Sequence, residues 1–284
     1  MKLKLITIAL AFVAVGNAQA AMQGAASGNG ELLLNLRYYV GNNDQGGDDM
    51  SALFDLGVRM DDFIENRTKP GFTMTWNLRA PNYGGAWDEI MTFAGANSAN
   101  IEYNVIALDN TNKVTAGGSR YLTTANVTTY PSLSNFNLNG FDAMDLLVKA
   151  NQGRGTHPTQ EHGASTAVSG GAKDTYFGSV NGLTDGDDWT NKTIDTTQKL
   201  SVAQNFWFLT TSSTTSTHQA TKLPFGFDID GNGVLSSNEF GKWSIDAAAG
   251  TLTYANPVPE PETYALMLAG LGLVGWMARR RRAA

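Results

Sequence analysis

The chain has 284 residues, with 20 basic and 26 acidic side chains and a formal net charge of −6 at pH 7. This negative charge argues against a nucleic-acid partner, because nucleic-acid phosphates would be repelled. The chain contains no cysteine, so its folded part depends on a hydrophobic core and any bound metal rather than on disulfides.

The N-terminus has the pattern of a secretory signal peptide. Lys2 and Lys4 precede an apolar run at 5–15, and residues 18–20 form an Ala-Gln-Ala cleavage site. The apolar run is too short to be interpreted first as a membrane-spanning helix. We therefore predict a signal peptide at residues 1–20, cleaved after Ala20, and export of the rest of the chain.

Residues 21–256 form the predicted body, which is long enough for one large domain or two small ones. The body carries −10, because residues 1–20 and 257–284 contribute +2 each. Short runs of strand-forming residues alternate with Gly- and Asn-rich turns. Seven runs predict strands: 31–40, 54–60, 72–78, 101–108, 205–210, and a closing hairpin of 243–246 and 251–254. This pattern predicts a mainly β fold, an antiparallel β-sandwich of the jelly-roll type.

Two short helices interrupt the predicted strands. One is expected at 87–93 and the other at 141–150, where apolar residues have helical spacing and Gly153 follows the end. Residues 152–204 are polar and rich in Gly, Thr and Asp, which predicts surface loops or a lid on the sandwich.

Residues 228–239 read Asp-Ile-Asp-Gly-Asn-Gly-Val-Leu-Ser-Ser-Asn-Glu. This spacing resembles the calcium loop of an EF-hand, with oxygen ligands at alternate positions, a glycine at the bend and a final bidentate Glu. Hard oxygen ligands and three negative charges suit calcium, whereas zinc favours nitrogen and sulfur. The predicted ligands are Asp228, Asp230, Asn232, Val234 through its carbonyl, Ser236 directly or through water, and Glu239. The alternative is an Asp/Asn/Gly-rich turn that binds no ion.

The flanks of this loop differ from those of an EF-hand. Pro224 and Gly226 argue against an incoming helix, and Gly241 leaves little room for an outgoing one. We therefore expect an isolated loop between strands. A structural calcium ion is favoured over a sensor, because sensor opening requires a pair of helices.

Other candidate sites are weaker. His157, Glu161 and His162 could form a metal or catalytic site, but Pro158 interrupts the helix that would align the two rings. The tryptophans at 76, 87, 189, 207 and 243 could form a sugar-binding platform, although packing in the core is the commoner role. No nucleophile elbow, phosphate loop or zinc-protease motif occurs in the sequence.

The C-terminus combines three features. Residues 258–262 read Val-Pro-Glu-Pro-Glu, residues 264–278 are apolar and uncharged, and Arg279, Arg280, Arg281 and Arg282 follow. A helix over 264–278 would measure about 22 Å, against ~30 Å for a bilayer core, so as a transmembrane helix it is marginal. The arginines predict a cytoplasmic stop, with the chain before Pro257 outside. An ordinary C-terminal anchor is the alternative.

Pro259, Glu260 and Pro261, the apolar segment and the arginine cluster occur in the order that resembles the PEP-CTERM sorting signal of Gram-negative bacteria, over residues 257–282. The resemblance implies that an exosortase recognises the Pro-Glu-Pro hinge and processes the chain near it. It also implies transient anchoring in the membrane after secretion, and then release or transfer of the body to the cell surface or the exopolysaccharide matrix.

Three functional hypotheses follow. The first is a non-enzymatic surface or matrix protein that is sorted by its tail and stabilised by calcium. The second is a glycan-binding module that holds exopolysaccharide through exposed aromatic side chains. The third is a secreted hydrolase. The first is favoured, because the sequence carries delivery and metal features and no catalytic signature.

Overall fold

The computed structural model describes residues 22–24, 27–40, 47–111, 118–139, 144–172, 174–178, 194–259, 268–273 and 279. The predicted signal peptide at residues 1–20 lies outside these ranges. The described chain forms these strands: β1 (Glu31–Tyr38), β2 (Met50–Arg59), β3 (Thr73–Asn77), β4 (Glu102–Asp109), β5 (Arg120–Thr124), β6 (Ala164–Val168), β7 (Gln198–Lys199), β8 (Gln204–Thr210), β9 (Thr221–Pro224), β10 (Lys242–Asp246) and β11 (Thr251–Ala255).

All these strands belong to one connected antiparallel sheet with the order β3-β11-β10-β8-β5-β4-β1-β2-β6, in which β7 also pairs with β4 and β9 with β8. The sheet curves like half of a barrel. Its curvature lets Trp76 Nε1 of β3 donate to the Leu56 carbonyl oxygen of β2 at 2.8 Å, although these strands lie near opposite edges. The predicted mainly β, antiparallel fold is confirmed, but the two-sheet sandwich is corrected to a single curved sheet.

Both faces of the sheet are covered, and β1 contributes side chains to each. Leu32, Leu34 and Leu36 enter the first hydrophobic core, whereas Leu33 enters the second. This division follows from the alternation of side chains along a strand. Because both faces are buried, all eight residues of β1 are buried.

The first core is built around the ring of Phe63. Five aromatic rings lie 4.9–5.8 Å from it, centroid to centroid: those of Phe72, Phe206, Phe225, Trp243 and Tyr254. These separations suit favourable aromatic contacts in addition to the burial of apolar area. Four of the rings come from the last third of the chain, so β8, β10 and β11 are fixed to the rest of the body through this cluster.

Short helices cover the two faces of the sheet. The first core includes residues of α1 (Met60–Ile64) and α2 (Ala86–Ala94), and the second includes residues of α3 (Asn135–Asn139) and α4 (Met144–Asn151). The helices predicted at 87–93 and 141–150 correspond to α2 and α4. A second sheet is not needed to bury the apolar strand faces, because these helices and the connecting segments do so.

Each of the seven predicted strand segments lies on a strand, and β10 and β11 pair as the expected hairpin. Met60 begins a helix rather than ending a strand. The expectation of surface loops over 152–204 is corrected in part, because β6 pairs with β2 within this range. Residues 179–193 lie outside the described ranges.

Candidate functional site

The loop at 228–239 connects β9 to β10, which agrees with its predicted position between strands. A bridge between Gly226 and Phe240 closes its base. There, the Phe227 amide donates to the Glu239 carbonyl oxygen at 2.9 Å, and the Gly241 amide donates to the Phe225 carbonyl oxygen at 2.8 Å. The loop is therefore an excursion from the sheet with a fixed entry and exit.

The Asp228 carboxylate organises the first half of the loop. Its Oδ1 accepts the amides of Gly231 and Asn232 at 2.7 and 3.2 Å, and its Oδ2 accepts the amide of Gly233 at 2.7 Å. Gly231 and Gly233 have φ values of 73° and 83°, a left-handed conformation that glycine adopts at little cost. These hydrogen bonds, with that from Gly233 the strongest, lower the pKa of Asp228.

Asp230 and Asn232 form the tip of the loop. The Asp230 carboxylate accepts the Asn232 backbone amide at 3.1 Å and its side-chain amide at 2.8 Å. The Asn232 side-chain oxygen accepts the Val234 amide at 2.8 Å. Val234 is 70% exposed, whereas Leu235 packs against the second core. These side chains are ordered by one another and by the backbone.

The Glu239 carboxylate closes the loop and is only 2% exposed. Its Oε2 accepts the hydroxyl and amide of Ser236 at 2.6 and 2.7 Å, and its Oε1 accepts the amides of Ile229 and Asp230 at 2.7 and 3.3 Å. These donors, led by the Ser236 hydroxyl, lower the pKa of Glu239 to about 2. Glu239 is therefore ionised at neutral pH.

Asp228, Asp230 and Glu239 can each direct one carboxylate oxygen to a common point, because these atoms lie within 4.8 Å of one another. Three close carboxylates repel one another unless a cation lies between them. An all-oxygen donor set with this charge suits calcium. Of the other predicted ligands, Asn232 and Ser236 lie in the same loop but direct their side chains to loop partners.

The histidine segment does not form a comparable site. His157 is 4% exposed, and burial lowers its pKa to about 4 against the opposing effect of the Leu53 backbone. The Glu161 side chain is exposed. In the described part of the chain, the loop holds the one group of three or more carboxylate or histidine side chains that lie close enough to share a metal ion.

A carboxyl group that the sequence did not single out lies on β2. Asp55 is 1% exposed, and its carboxylate accepts the Gly57 amide at 2.9 Å and lies 3.9 Å from His162 Nδ1. Burial, followed by the charge of Glu31, raises its pKa to about 7. The sequence pattern identifies 54–60 only as a strand. Only the coverage of both sheet faces, which sequence alone did not reveal, places Asp55 inside.

The body ends at a buried asparagine just before the predicted hinge. Asn256 is 3% exposed, and its Nδ2 donates to the carbonyl oxygens of Asn66, Arg67 and Lys69 at 2.9–3.3 Å. The Gly71 amide donates to the Pro257 carbonyl oxygen at 3.0 Å. Val258 is exposed and Pro259 half-exposed, so the chain leaves the folded body at this point.

The remaining tail is described at 268–273 and at Arg279, where the residues are helical and exposed. Glu260, Pro261, Arg280, Arg281, Arg282 and the other residues of 264–278 lie outside the described ranges. Among the helices that the structure describes, none combines the length and apolar character needed to cross a membrane.

Comparison with known proteins identifies the tail. The family model of the PEP-CTERM protein-sorting motif matches residues 257–282. This chain carries a PEP-CTERM sorting motif. The motif implies export, membrane-anchored sorting at the C-terminus and recognition by an exosortase, as the sequence predicted. Neither a curated protein nor a solved structure matches the chain.

The buried Asp55 carboxyl predicts an unusual pH dependence of stability. Folding raises the pKa of Asp55 from 3.8 to about 7. The protonated Asp55 carboxyl therefore contributes fully to the unfolding free energy below pH 3.8, its pKa in the unfolded chain, and this contribution is lost as the pH rises through 7. Asp55→Asn removes this titration but keeps the oxygen that accepts the Gly57 amide. Relative to this variant, we expect the wild-type unfolding free energy to fall by about 4 kcal/mol between about pH 4 and about pH 8.

Urea unfolding across this pH range measures the difference. His157 titrates with the opposite sign but is present in both proteins, so its contribution cancels. The exposed Asp62→Asn is the control and should retain the wild-type profile. Parallel wild-type and Asp55→Asn profiles would contradict the assignment.

Proposed function

We propose that this chain is an exported, exosortase-sorted protein of the cell surface or exopolysaccharide matrix, with a non-enzymatic body at 21–256 that contains a structural calcium site. The PEP-CTERM motif at 257–282 carries this proposal. It begins directly after β11 and Asn256, so the sheet is complete before the sorting segment starts. Removal of the tail would leave the body's strand pairing intact.

The calcium component rests on the donor set at 228–239. Asp228, Asp230 and Glu239 supply three negative charges within 4.8 Å, and the hydrogen bonds to Asp228 and Glu239 hold both carboxylates in place. Calcium would lower the repulsion between them and join the start of the loop to its end. A structural role is favoured over a sensor role, because strands rather than paired helices flank the loop.

The two alternatives, a glycan-binding module and a secreted hydrolase, receive less support from the structure. A glycan platform requires a row of exposed aromatic side chains, but Trp87, Trp207 and Trp243 are buried and Trp76 is half-buried, while Trp189 lies outside the described residues. A hydrolase centred on the histidine segment would need His157 accessible beside Glu161, but His157 is buried and Glu161 is exposed. The non-enzymatic proposal is therefore retained.

The calcium site predicts a stability difference between calcium and chelator. At a hundredfold excess of calcium over its Kd, linkage predicts a rise in wild-type Tm of about 5–10 °C. Asp230→Asn should lose most of this rise, because it removes one charge from the triad and keeps a side-chain oxygen for the Asn232 amide. Thermal unfolding in calcium and in excess chelator measures the effect. Asp62→Asn is the matched control and should keep the full difference. Equal wild-type Tm values in the two conditions would reject a stabilising ion.

Sorting predicts the mass of the mature protein. Because Pro257 is hydrogen-bonded to the body and Val258 is exposed, processing should occur after Pro257 and leave the body whole. We expect intact-mass measurement of the secreted protein to show loss of Tyr264 and everything after it. The double variant Pro259→Ala, Pro261→Ala should retain the tail in the membrane fraction. An arginine tail on the secreted wild-type protein would refute processing.

A further inference from the structure

A groove of about 720 Å³ lies beside the 228–239 loop. Asp228 and residues 233–235 of the loop form one wall, β9 forms another, and residues 128–130 complete the opening. This volume lies within the ~300–1,000 Å³ typical of small-molecule sites. The groove shares Asp228 and Val234 with the candidate calcium ligands, but its other lining residues belong to no site assigned above.

Two half-buried cations line the groove, Arg67 and Lys222. Arg67 Nη1 donates to the Pro224 carbonyl oxygen at 2.8 Å, and Lys222 Nζ donates to the Pro131 carbonyl oxygen at 3.2 Å. Within the described residues, neither pairs with a carboxylate, unlike Arg37 and Arg120, which do. In a body of charge −10, two such cations in one groove favour an anionic ligand.

Much of the remaining groove lining is aromatic or aliphatic. Tyr130 and Trp207 meet edge to face at 5.5 Å, and Leu235 lies on the loop side. Asp228 also lines the groove, but its oxygens accept the amides of Gly231, Asn232 and Gly233. The groove therefore offers two cations beside an apolar wall, with one carboxylate, that of Asp228, on its loop side.

We propose that this groove binds a small organic carboxylate with an apolar ring or short-chain body. The carboxylate lies at Arg67 and Lys222, and the body packs against Tyr130 and Trp207. A free aromatic or aliphatic acid carries both features, whereas a uronate unit of an acidic polysaccharide shares the carboxylate and offers only the C–H face of its sugar ring to the aromatic wall. The cations that carry the proposal lie outside the loop, although the candidate calcium ligands Asp228 and Val234 also line the groove, so binding is measured with calcium present.

Calorimetric titration of the mature secreted protein in calcium tests the proposal, with 3-phenylpropionate, its uncharged amide and digalacturonate as probes. We expect at least one of the two acids to bind, and a bound phenylpropionate to bind more tightly than its amide. Binding of the phenyl acid alone identifies a free acid as the source, and binding of digalacturonate identifies a matrix uronate.

Lys222→Gln should weaken binding of the acid about threefold to tenfold, because it removes one charge-assisted contact at a half-exposed site. Lys242→Gln, an exposed change on β10 outside the groove, is the matched control and should bind as the wild type does. Unchanged melting curves would show that both variants fold. The proposal is overturned if neither acid binds, if the amide matches the phenyl acid, or if Lys222→Gln binds as tightly as the wild type.

Discussion

The buried Glu239 carboxylate is the constraint on which the end of the fold depends. It receives four donors, from the amides of Ile229, Asp230 and Ser236 and the hydroxyl of Ser236, and its own carbonyl accepts the Phe227 amide. One residue thus fixes the start, the middle and the exit of the loop. A carboxylate with this many donors is held in its ionised form. The third charge of the candidate calcium site is therefore positioned by the backbone before any ion binds.

The contacts that begin at Glu239 continue through β10 and β11 to the sorting segment. Immediately after Glu239 the chain forms β10 and β11, which place Trp243 and Tyr254 against Phe63 in the first core. Gly241 lies so close to the Tyr254 hydroxyl and the Asn256 side chain that a Cβ there would clash with both. Asn256 then caps three carbonyl groups, and the chain departs into the PEP-CTERM motif. One continuous set of contacts therefore connects the loop, the first core and the point where the hinge begins.

Local signals in the sequence predicted much of this architecture. Alternating side chains and turn residues identified the hairpin of β10 and β11, and Pro224, Gly226 and Gly241 correctly excluded helices beside the loop. Features that depend on distant partners were not predictable. β6 is a short run of mostly small residues, Ala-Ser-Thr-Ala-Val, which carries no clear strand signal, and its pairing with β2 makes it a strand. Asp55 is buried by elements that cover both faces of the sheet. The groove was not predictable either, because one of its lining residues, Arg67, contacts Pro224, which lies 157 positions further along the chain.

The central claim is that the 228–239 loop binds one calcium ion in the geometry set by Glu239. The most direct test is the calcium content of the mature protein after equilibrium dialysis, compared between the wild type and Glu239→Gln. This substitution keeps a side-chain oxygen as a hydrogen-bond acceptor but removes the charge and the bidentate carboxylate. The account predicts one bound calcium per wild-type chain and at least about tenfold weaker binding by the variant. A wild-type protein that retains no calcium, or a variant that binds calcium equally well, would contradict it.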